Sequence, residues 1–296
     1  RYGDLNGPDG LPSEPSIVVP TVRAHGCCCA DLNRDGYLDL VFSGVENPEL
    51  LIFYGTEDGF DTDNPQRIPL EKDGVVYDDV RFITLADWNN DGWLDIYVPQ
   101  ITEKRSFILW GGPDGFSMDR SQMLAVGGSG SAQSADLTGN GYLDLIVSGG
   151  SGHGTLDEPH ASFVHIYWNG PDGLREDRRT SLPGNSAGWF AVADFNNNGL
   201  LDVFTCCYHD GRVRDIDSYI YWNRPGKGFS TADRHRMFTH SAAGSIAADF
   251  NEDGWTDLAV AYHKINGDHV GNSAVWWNGP DGFVEGRVTE LPTLGP

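Results

Sequence analysis

Short runs of β-branched and other apolar residues recur along the chain, separated by polar, glycine-rich segments. Runs of this length and composition predict β-strands, and no segment has the 3.6-residue periodicity of a helix. Each of five such runs directly follows an Asp-rich loop, and they lie at residues 38–42, 94–98, 143–147, 201–205 and 257–261. The pattern therefore predicts an all-β protein made of repeated strands.

A second set of apolar runs is aromatic and ends at a Pro-Asp-Gly segment or a variant of it. These runs lie at residues 52–54, 107–110, 165–168, 219–222 and 275–277. An apolar run that meets such a segment is typical of a strand entering a tight hairpin turn. Because the aromatic residues recur in register, we expect them to pack between sheets rather than to form a sugar-stacking platform.

The Asp-rich loops are five copies of one nine-residue pattern, Asp-x-Asx-x-Asx-Gly-x-x-Asp, with Thr at the third position of the third copy. Their starts lie 56, 49, 58 and 55 residues apart. The glycine that ends each turn motif precedes the next loop by 21 positions in four of five cases and by 28 in the other. One repeat thus reads strand A, Asp loop, strand B, variable loop, strand C, turn, strand D.

Four antiparallel strands per repeat of this length are typical of a propeller blade. The sequence predicts one β-propeller domain over residues 1–296, with five complete calcium-loop repeats and an N-terminal C–D hairpin of a further blade. The hairpin is assigned to residues 1–20, and the approximate repeats to 21–70, 71–125, 126–183, 184–239 and 240–296.

The Asp-rich loop has the donor set of a hard-cation site. Side-chain oxygens at positions 1, 3, 5 and 9, a main-chain carbonyl at position 7 and Gly at position 6 suit calcium best. A single loop of this kind is also an ordinary solvated turn, but Asp recurs at positions 1 and 9 in all five copies. The predicted ligands are Asp31, Asn33, Asp35, Tyr37, Asp39, Asp87, Asn89, Asp91, Trp93, Asp95, Asp136, Thr138, Asn140, Tyr142, Asp144, Asp194, Asn196, Asn198, Leu200, Asp202, Asp249, Asn251, Asp253, Trp255 and Asp257.

Two details refine this prediction. An EF-hand requires a bidentate Glu at position 12, where these loops have Phe42, Val98, Val147, Thr205 and Val260, so an EF-hand is excluded. At the ligand positions the third and fourth loops each have two carboxylates and the others three, so weaker binding is expected in those two.

The charge balance agrees with a cation partner. The formal net charge of −23 disfavours nucleic acid and anionic membranes as partners, and no apolar run is long enough for a membrane helix. Thirteen of the 43 acidic residues occupy ligand positions of the five loops, where five calcium ions would offset ten charges. Such sites commonly use extracellular calcium at roughly 10⁻⁴–10⁻³ M, which predicts a secreted or cell-surface protein, extracellular or periplasmic.

The segment Ala-Asp-Leu-Asn-Arg-Asp-Gly-Tyr-Leu-Asp-Leu-Val-Phe at residues 30–42 resembles the FG-GAP/VCBS repeats of integrin α-subunit propellers and bacterial secreted proteins. The resemblance extends over nearly the whole chain. It implies calcium at each A–B loop and a role in adhesion or ligand binding, in a family that also includes lectin-like modules and polysaccharide lyases. The commonest integrin form has seven blades, and this chain has five complete repeats.

A ligand is expected on the face opposite the calcium loops, where strand alternation places the B–C loops and the D–A links. The candidate contact residues there are His153, His160, His209, Arg212, Arg214, His263, Lys264, His269, His25, Trp189 and His240. The favoured function is a calcium-stabilised binding, adhesion or structural module for protein or glycan. The alternatives are a polysaccharide lyase using Tyr208 with His209, or His263 with Arg212, and a self-associating structural module.

The five cysteines, Cys27–Cys29 with Cys206 and Cys207, are an odd number and fit no zinc motif. Adjacent strand residues point to opposite faces and do not readily converge on one ion. Buried thiols and a strained bond between neighbouring cysteines are both open at this stage.

Overall fold

The computed structural model describes residues 17–149 and 162–294, and within these ranges the regular structure is almost entirely β. Five four-stranded sheets follow one another along the chain, and every pairing in them is antiparallel between neighbours in sequence order. We number them sheets I to V.

Sheet I consists of β1 (Ala24–Ala30), β2 (Asp39–Gly44), β3 (Glu49–Phe53) and β6 (Gln66–Pro69). Sheet II consists of β9 (Thr84–Ala86), β10 (Asp95–Val98), β11 (Ser106–Leu109) and β12 (Ser121–Leu124), with a 3-10 helix at Met118–Arg120. Sheet III consists of β13 (Ala132–Ala135), β14 (Asp144–Gly149), β15 (Ser162–Tyr167) and β16 (Arg179–Gly184). Sheet IV consists of β17 (Trp189–Ala193), β18 (Asp202–Cys206), β19 (Asp215–Tyr221) and β20 (Arg234–His240). Sheet V consists of β21 (Ala242–Ala248), β22 (Asp257–Tyr262), β23 (Val270–Trp276) and β24 (Val288–Leu294).

These sheets confirm the predicted repeat of four strands. The apolar run after each Asp loop forms the second strand, and the aromatic run before each turn lies in or at the end of the third. The predicted N-terminal hairpin at residues 1–20 lies almost wholly outside the described residues.

The hydrophobic core lies in layers between successive sheets. In sheet II, Ile96 and Val98 face sheet I, whereas Tyr97 between them faces sheet III. This alternation along one strand lets a single sheet contribute to two core layers. Similar layers join sheets III and IV and sheets IV and V. In the aromatic runs of the third strands, Tyr167 and Tyr221 are fully buried in these layers, so the predicted packing role of these two residues is confirmed.

The extra length between the first and second repeats forms a small hairpin. Strands β7 (Glu71–Lys72) and β8 (Val75–Val76) pair around Asp73 and Gly74, which adopt positive φ angles of 54° and 77°. Lys72 Nζ then donates to Ser121 Oγ at 2.7 Å, so the hairpin packs on the outer strand of sheet II. A second two-stranded pair, β4 (Gly55–Thr56) with β5 (Gly59–Phe60), forms the turn of sheet I. The described residues include no helix long and apolar enough to cross a membrane.

Candidate functional site

The five Asp-rich loops share one backbone conformation. Position 4 has a positive φ of 62°, 55°, 72°, 54° and 61° in the five loops in order, and the position-6 glycine has 92°, 86°, 83°, 86° and 88°. The sequence motif explains the glycine but does not reveal position 4, where only the third loop has Gly. The other four use Arg, Asn, Asn and Glu, of which Asn best tolerates the left-handed region.

The Asp at position 1 organises each loop. Its Oδ1 accepts the N–H of position 5 and its Oδ2 accepts the N–H of position 6, at distances between 2.7 and 3.2 Å in all five loops. The position-5 side chain then accepts the N–H of position 7 at 2.8 to 2.9 Å. These bonds hold the main chain in a tight coil around the side-chain oxygens.

In the first, second and fifth loops the side chains of positions 1, 3 and 5 converge. The N–H of Asp35 is shared by Asp31 Oδ1 and Asn33 Oδ1, both at 3.1 Å. The Asn33 amide also contacts Asp35 Oδ2 at 2.8 Å. The second and fifth loops repeat these contacts to within about 0.2 Å.

The third and fourth loops lack the convergence of all three side chains, although in the third Thr138 Oγ1 lies 3.5 Å from Asp136 Oδ1. The position-5 amides of Asn140 and Asn198 turn away and donate to the carbonyls of Asn169 and Asn223. In the fourth loop Asn196, at position 3, donates to Asp202 Oδ2 at 2.9 Å. The two loops predicted to bind calcium less tightly are therefore also the two whose side chains are differently arranged.

The Asp at position 9 is buried below each loop and connects the loop to the end of the third strand. Asp39, Asp95, Asp144, Asp202 and Asp257 are all 0% exposed. In each, Oδ2 accepts the N–H of loop position 2 at 2.8 to 3.2 Å, and Oδ1 accepts an N–H at the end of the third strand at 2.7 to 2.9 Å. Burial raises the pKa of Asp95 to about 7 and those of Asp144 and Asp202 to about 6.

Three buried asparagines, which sequence reasoning treated only as turn residues, connect successive loops. Asn169 Nδ2 donates to the carbonyl of Trp88 in the preceding loop at 2.7 Å and to that of Leu143 in its own loop at 3.0 Å. Asn223 and Asn278 repeat both contacts one and two sheets further on. The sequence signal for these links was the recurrence of Asn at the start of three turn motifs. In sheets I and II the equivalent residues are Gly55 and Gly111, which have no side chain to form the link.

Position 4 gives a second link between neighbouring loops. Asn90 Nδ2 donates to Gly141 O at 3.0 Å, and Asn197 Nδ2 donates to Gly254 O at 3.1 Å. The guanidinium of Arg34 lies 5.0 Å from the ring centroid of Trp93. The third loop has Gly139 at this position and therefore no side chain to extend to the fourth.

The oxygen atoms of the loop residues are suitable ligands for a cation. None of the ion pairs between described residues includes a carboxylate of these loops. Each carboxylate oxygen that accepts one N–H keeps a lone pair for a metal. Among described residues no group of three or more His, Cys, Asp or Glu side chains is arranged as a metal site. A cation here would therefore depend on the amide, hydroxyl and main-chain oxygens as well as on carboxylates.

On the opposite side of sheets IV and V, several of the predicted contact residues come together. Tyr208 Oη forms a short hydrogen bond with His263 Nδ1, and the two rings stack with centroids 5.3 Å apart. His263 meets His269 edge to face at 4.8 Å. The Arg214 guanidinium lies 5.0 Å from the Tyr208 ring centroid. These residues belong to the B–C loops of two sheets, as predicted.

The other predicted contact residues are dispersed. His25 and Trp189 both contact Phe82, with ring centroids at 4.9 and 4.4 Å, so residues at the starts of different sheets meet. His240 pairs with Asp215 at 2.5 Å. Arg212 and Lys264 lie on the same B–C loops as the cluster, and His153 and His160 lie outside the described residues.

The cysteines are all free thiols, so the structure has no bond between neighbouring cysteines. Cys206 and Cys207 are buried, and burial raises their pKa values to about 12. Cys27 and Cys29 are exposed, contrary to the expectation of burial, because alternate residues of β1 point away from sheet I's core.

Two solved structures resemble this chain over most of its length. A luciferin-regenerating enzyme matches with a TM-score of 0.52 and 11% identity, over 92% of this chain and 77% of that one. The V. cholerae biofilm matrix protein Bap1 matches with a TM-score of 0.49 and 16% identity, over 92% of this chain and 40% of that one. No curated protein sequence matches.

A protein-family model identifies the family of this chain. The FG-GAP-like repeat matches three overlapping stretches, at residues 31–98, 87–147 and 136–205. Each stretch begins at position 1 of one Asp-rich loop and ends in the strand that follows the next loop. Together the three cover more than half of the chain. The chain therefore belongs to the family of FG-GAP-like repeat proteins.

Proposed function

We propose that this chain is a calcium-stabilised, extracellular β-propeller that acts as a binding or adhesion module for a protein or glycan. The observation that carries the proposal is the convergence of positions 1, 3 and 5 in three loops whose carboxylates have no basic partner. Calcium, bound by Asp and Asn side chains with the position-7 carbonyl, would supply the missing positive charge.

The extracellular location is supported by the FG-GAP-like repeats together with the calcium demand of the loops. A loop with two or three carboxylates suits calcium at about 10⁻⁴–10⁻³ M, the range of extracellular modules. In this proposal the five sheets are blades of the propeller.

The ligand is assigned to the face opposite the calcium loops. There the variable B–C loops of sheets IV and V bring together Tyr208, His263, His269 and Arg214. On the calcium side, by contrast, the five loops repeat one conformation. Variable loops held on a rigid repeated scaffold are the usual place for recognition.

The substitution Asp35→Asn tests the calcium assignment without disturbing the turn. Asn140 and Asn198 occupy the same position in other loops and accept the N–H of position 7 just as Asp35 does. We expect calcium titration calorimetry of the parent to show tight binding at three loops and weaker binding at two. The variant should lose about one tight site, because one ligand charge is removed.

The matched control is Asp58→Asn, which removes one charge from an exposed turn outside the loops. It should keep the calcium stoichiometry of the parent. An Asp35→Asn variant with unchanged stoichiometry and affinity would refute the assignment of this loop as a calcium site.

The contact between Tyr208 Oη and His263 Nδ1 favours a second candidate, a polysaccharide lyase. In β-elimination, Tyr208 would take the C5 proton of a uronate while passing its own proton to His263, the C4–O bond would break, and a solvent proton would go to the leaving oxygen. Ultraviolet absorbance of the unsaturated product distinguishes this activity from binding alone. Absence of product from uronate polymers would exclude this candidate for those substrates.

A further inference from the structure

We propose that the junction of sheets IV and V binds an acidic glycan, with Arg214 holding the carboxylate of a uronate and the adjoining cleft holding neutral sugars. The inference rests on the proposed function, since it names the ligand class for the face opposite the calcium loops. It combines two features: a cluster formed by Tyr208, Arg214, His263 and His269, and an aromatic cleft beside it.

Arg214 in this cluster has N–H donors that the fold does not use. Arg214 donates to Ser241 Oγ at 3.3 Å, and none of the ion pairs between described residues includes it. Its guanidinium therefore keeps most of its donors for a planar anion, which it can bind through two parallel bonds.

A second atom in the cluster points to a missing partner. His269 Nδ1 is buried and has no hydrogen-bond partner, although its ring packs edge to face against His263. Buried ring nitrogens are normally paired, and an unpaired one in a native fold calls for an explanation. Because the nitrogen is buried, a ligand oxygen would pair with it only if a neighbouring side chain moved aside.

The local charge differs from that of the chain as a whole. Residues 207–215 and 263–269 together include Arg212, Arg214, Lys264 and three histidines, against the carboxylates of Asp210, Asp215 and Asp268. All three carboxylates have partners: Asp210 accepts the N–H groups of Arg212 and Val213, Asp268 accepts that of Val270, and Asp215 pairs with His240. In a chain of net charge −23, this local balance of basic and acidic side chains is more favourable to an anion than the chain as a whole.

The adjoining cleft favours a sugar chain over an acidic peptide. It has a volume of about 920 Å³ and runs between the outer strands of sheets IV and V. Its lining includes Ile265, from the loop at residues 263–269, and His240, which pairs with Asp215 next to Arg214 in the chain. Phe238, which is 54% exposed, Tyr262 and Trp276 give it aromatic surfaces, on which the C–H faces of sugar rings pack.

The acidic side chains in this cleft determine where the ligand's charge can lie. Asp217, Glu285 and Glu290 line it, together with Arg236, which pairs with Asp217 at 3.8 Å. The carboxylates would accept hydrogen bonds from sugar hydroxyls, and their excess over Arg236 would repel a second carboxylate of the ligand. The structure thus favours a glycan with one acidic sugar at the cluster and neutral sugars in the cleft, rather than a polymer charged at every unit.

The test uses glucuronoxylotriose, which has one uronate on three neutral sugars, with the calcium-loaded chain at neutral pH. Calorimetry should show binding that is at least about tenfold weaker for its methyl ester and for the Arg214→Gln variant, because each removes one partner of a charge-assisted pair. The matched control, Arg175→Gln, removes an exposed arginine paired with Asp177 and should bind within about twofold of the parent.

Further measurements distinguish a failure of this inference from a failure of the proposed function. Arg214→Lys keeps the charge but not the planar fork, so it should bind with intermediate affinity if the variant proteins are folded, as their calcium-dependent melting would show. Equal binding of the acid and its methyl ester, or tighter binding of a tetraglutamate peptide, would overturn the inference. A chain that binds calcium but not the sugar refutes this inference alone; a chain that does not bind calcium refutes the proposed function.

Discussion

Replacing Asn169 with alanine is expected to lower the free energy of unfolding by about 2–4 kcal/mol, measured by urea unfolding in saturating calcium. The Asn169 side chain is 1% exposed and donates to the carbonyls of Trp88 and Leu143. Alanine leaves both carbonyls without their donor in a place that water does not readily reach. The loss should therefore include the cost of two unpaired buried groups as well as that of the lost contacts.

The matched control for this variant is Asn272→Ala. Asn272 Nδ2 also donates a hydrogen bond, to Glu290 at 2.7 Å, but on the exposed surface of sheet V, where water can replace it. Its loss should change stability by less than about 0.5 kcal/mol. Equal effects of the two substitutions would show that Asn169 is not a structural link between loops.

The substitution Asp257→Asn is expected to destabilise the chain by a similar amount, about 2–4 kcal/mol in saturating calcium. Asp257 Oδ2 accepts the N–H of Phe250 at 3.1 Å and Oδ1 accepts that of Asn278 at 2.8 Å, and the side chain is fully buried. An amide has one acceptor oxygen, so its NH₂ group must face one of these two N–H donors. One donor is then unpaired and repelled.

The exposed Asp281, in the Pro-Asp-Gly turn of the same sheet, provides the control. Asp281→Asn changes the net charge equally and should alter the urea midpoint little. If Asp257→Asn is as stable as this control, position 9 serves metal binding alone and not the connection between loop and strand.

The repeat of four strands could be predicted from the sequence because strand and turn signals recur in register. The second strands, for example, begin within one residue of the apolar runs that predicted them. The loop glycines were equally predictable, since a positive φ of 83° to 92° favours glycine. Strands and turn glycines depend on residues close together in the chain, so a single repeat is enough to predict them.

The links between repeats could not be predicted in the same way. Whether Asn169 caps its own turn or extends to the carbonyl of Trp88, 81 residues earlier, depends on how two sheets pack. The left-handed conformation of Arg34 is likewise imposed by the coil of the loop and not by the residue itself. The Tyr208–His263 contact joins loops of different length and composition, so only the fold brings them together.

Thermal unfolding of the metal-stripped chain during titration with calcium, and separately with magnesium, tests the central claim that the loops bind calcium. Each site that binds only the folded chain adds about 2.7 kcal/mol at a hundredfold excess of calcium over its dissociation constant. With three tight loops, we predict a large rise in melting temperature that magnesium does not reproduce, together with three to five bound ions per chain. An unchanged melting temperature with no bound calcium would contradict the account and leave the Asp-rich loops as turns.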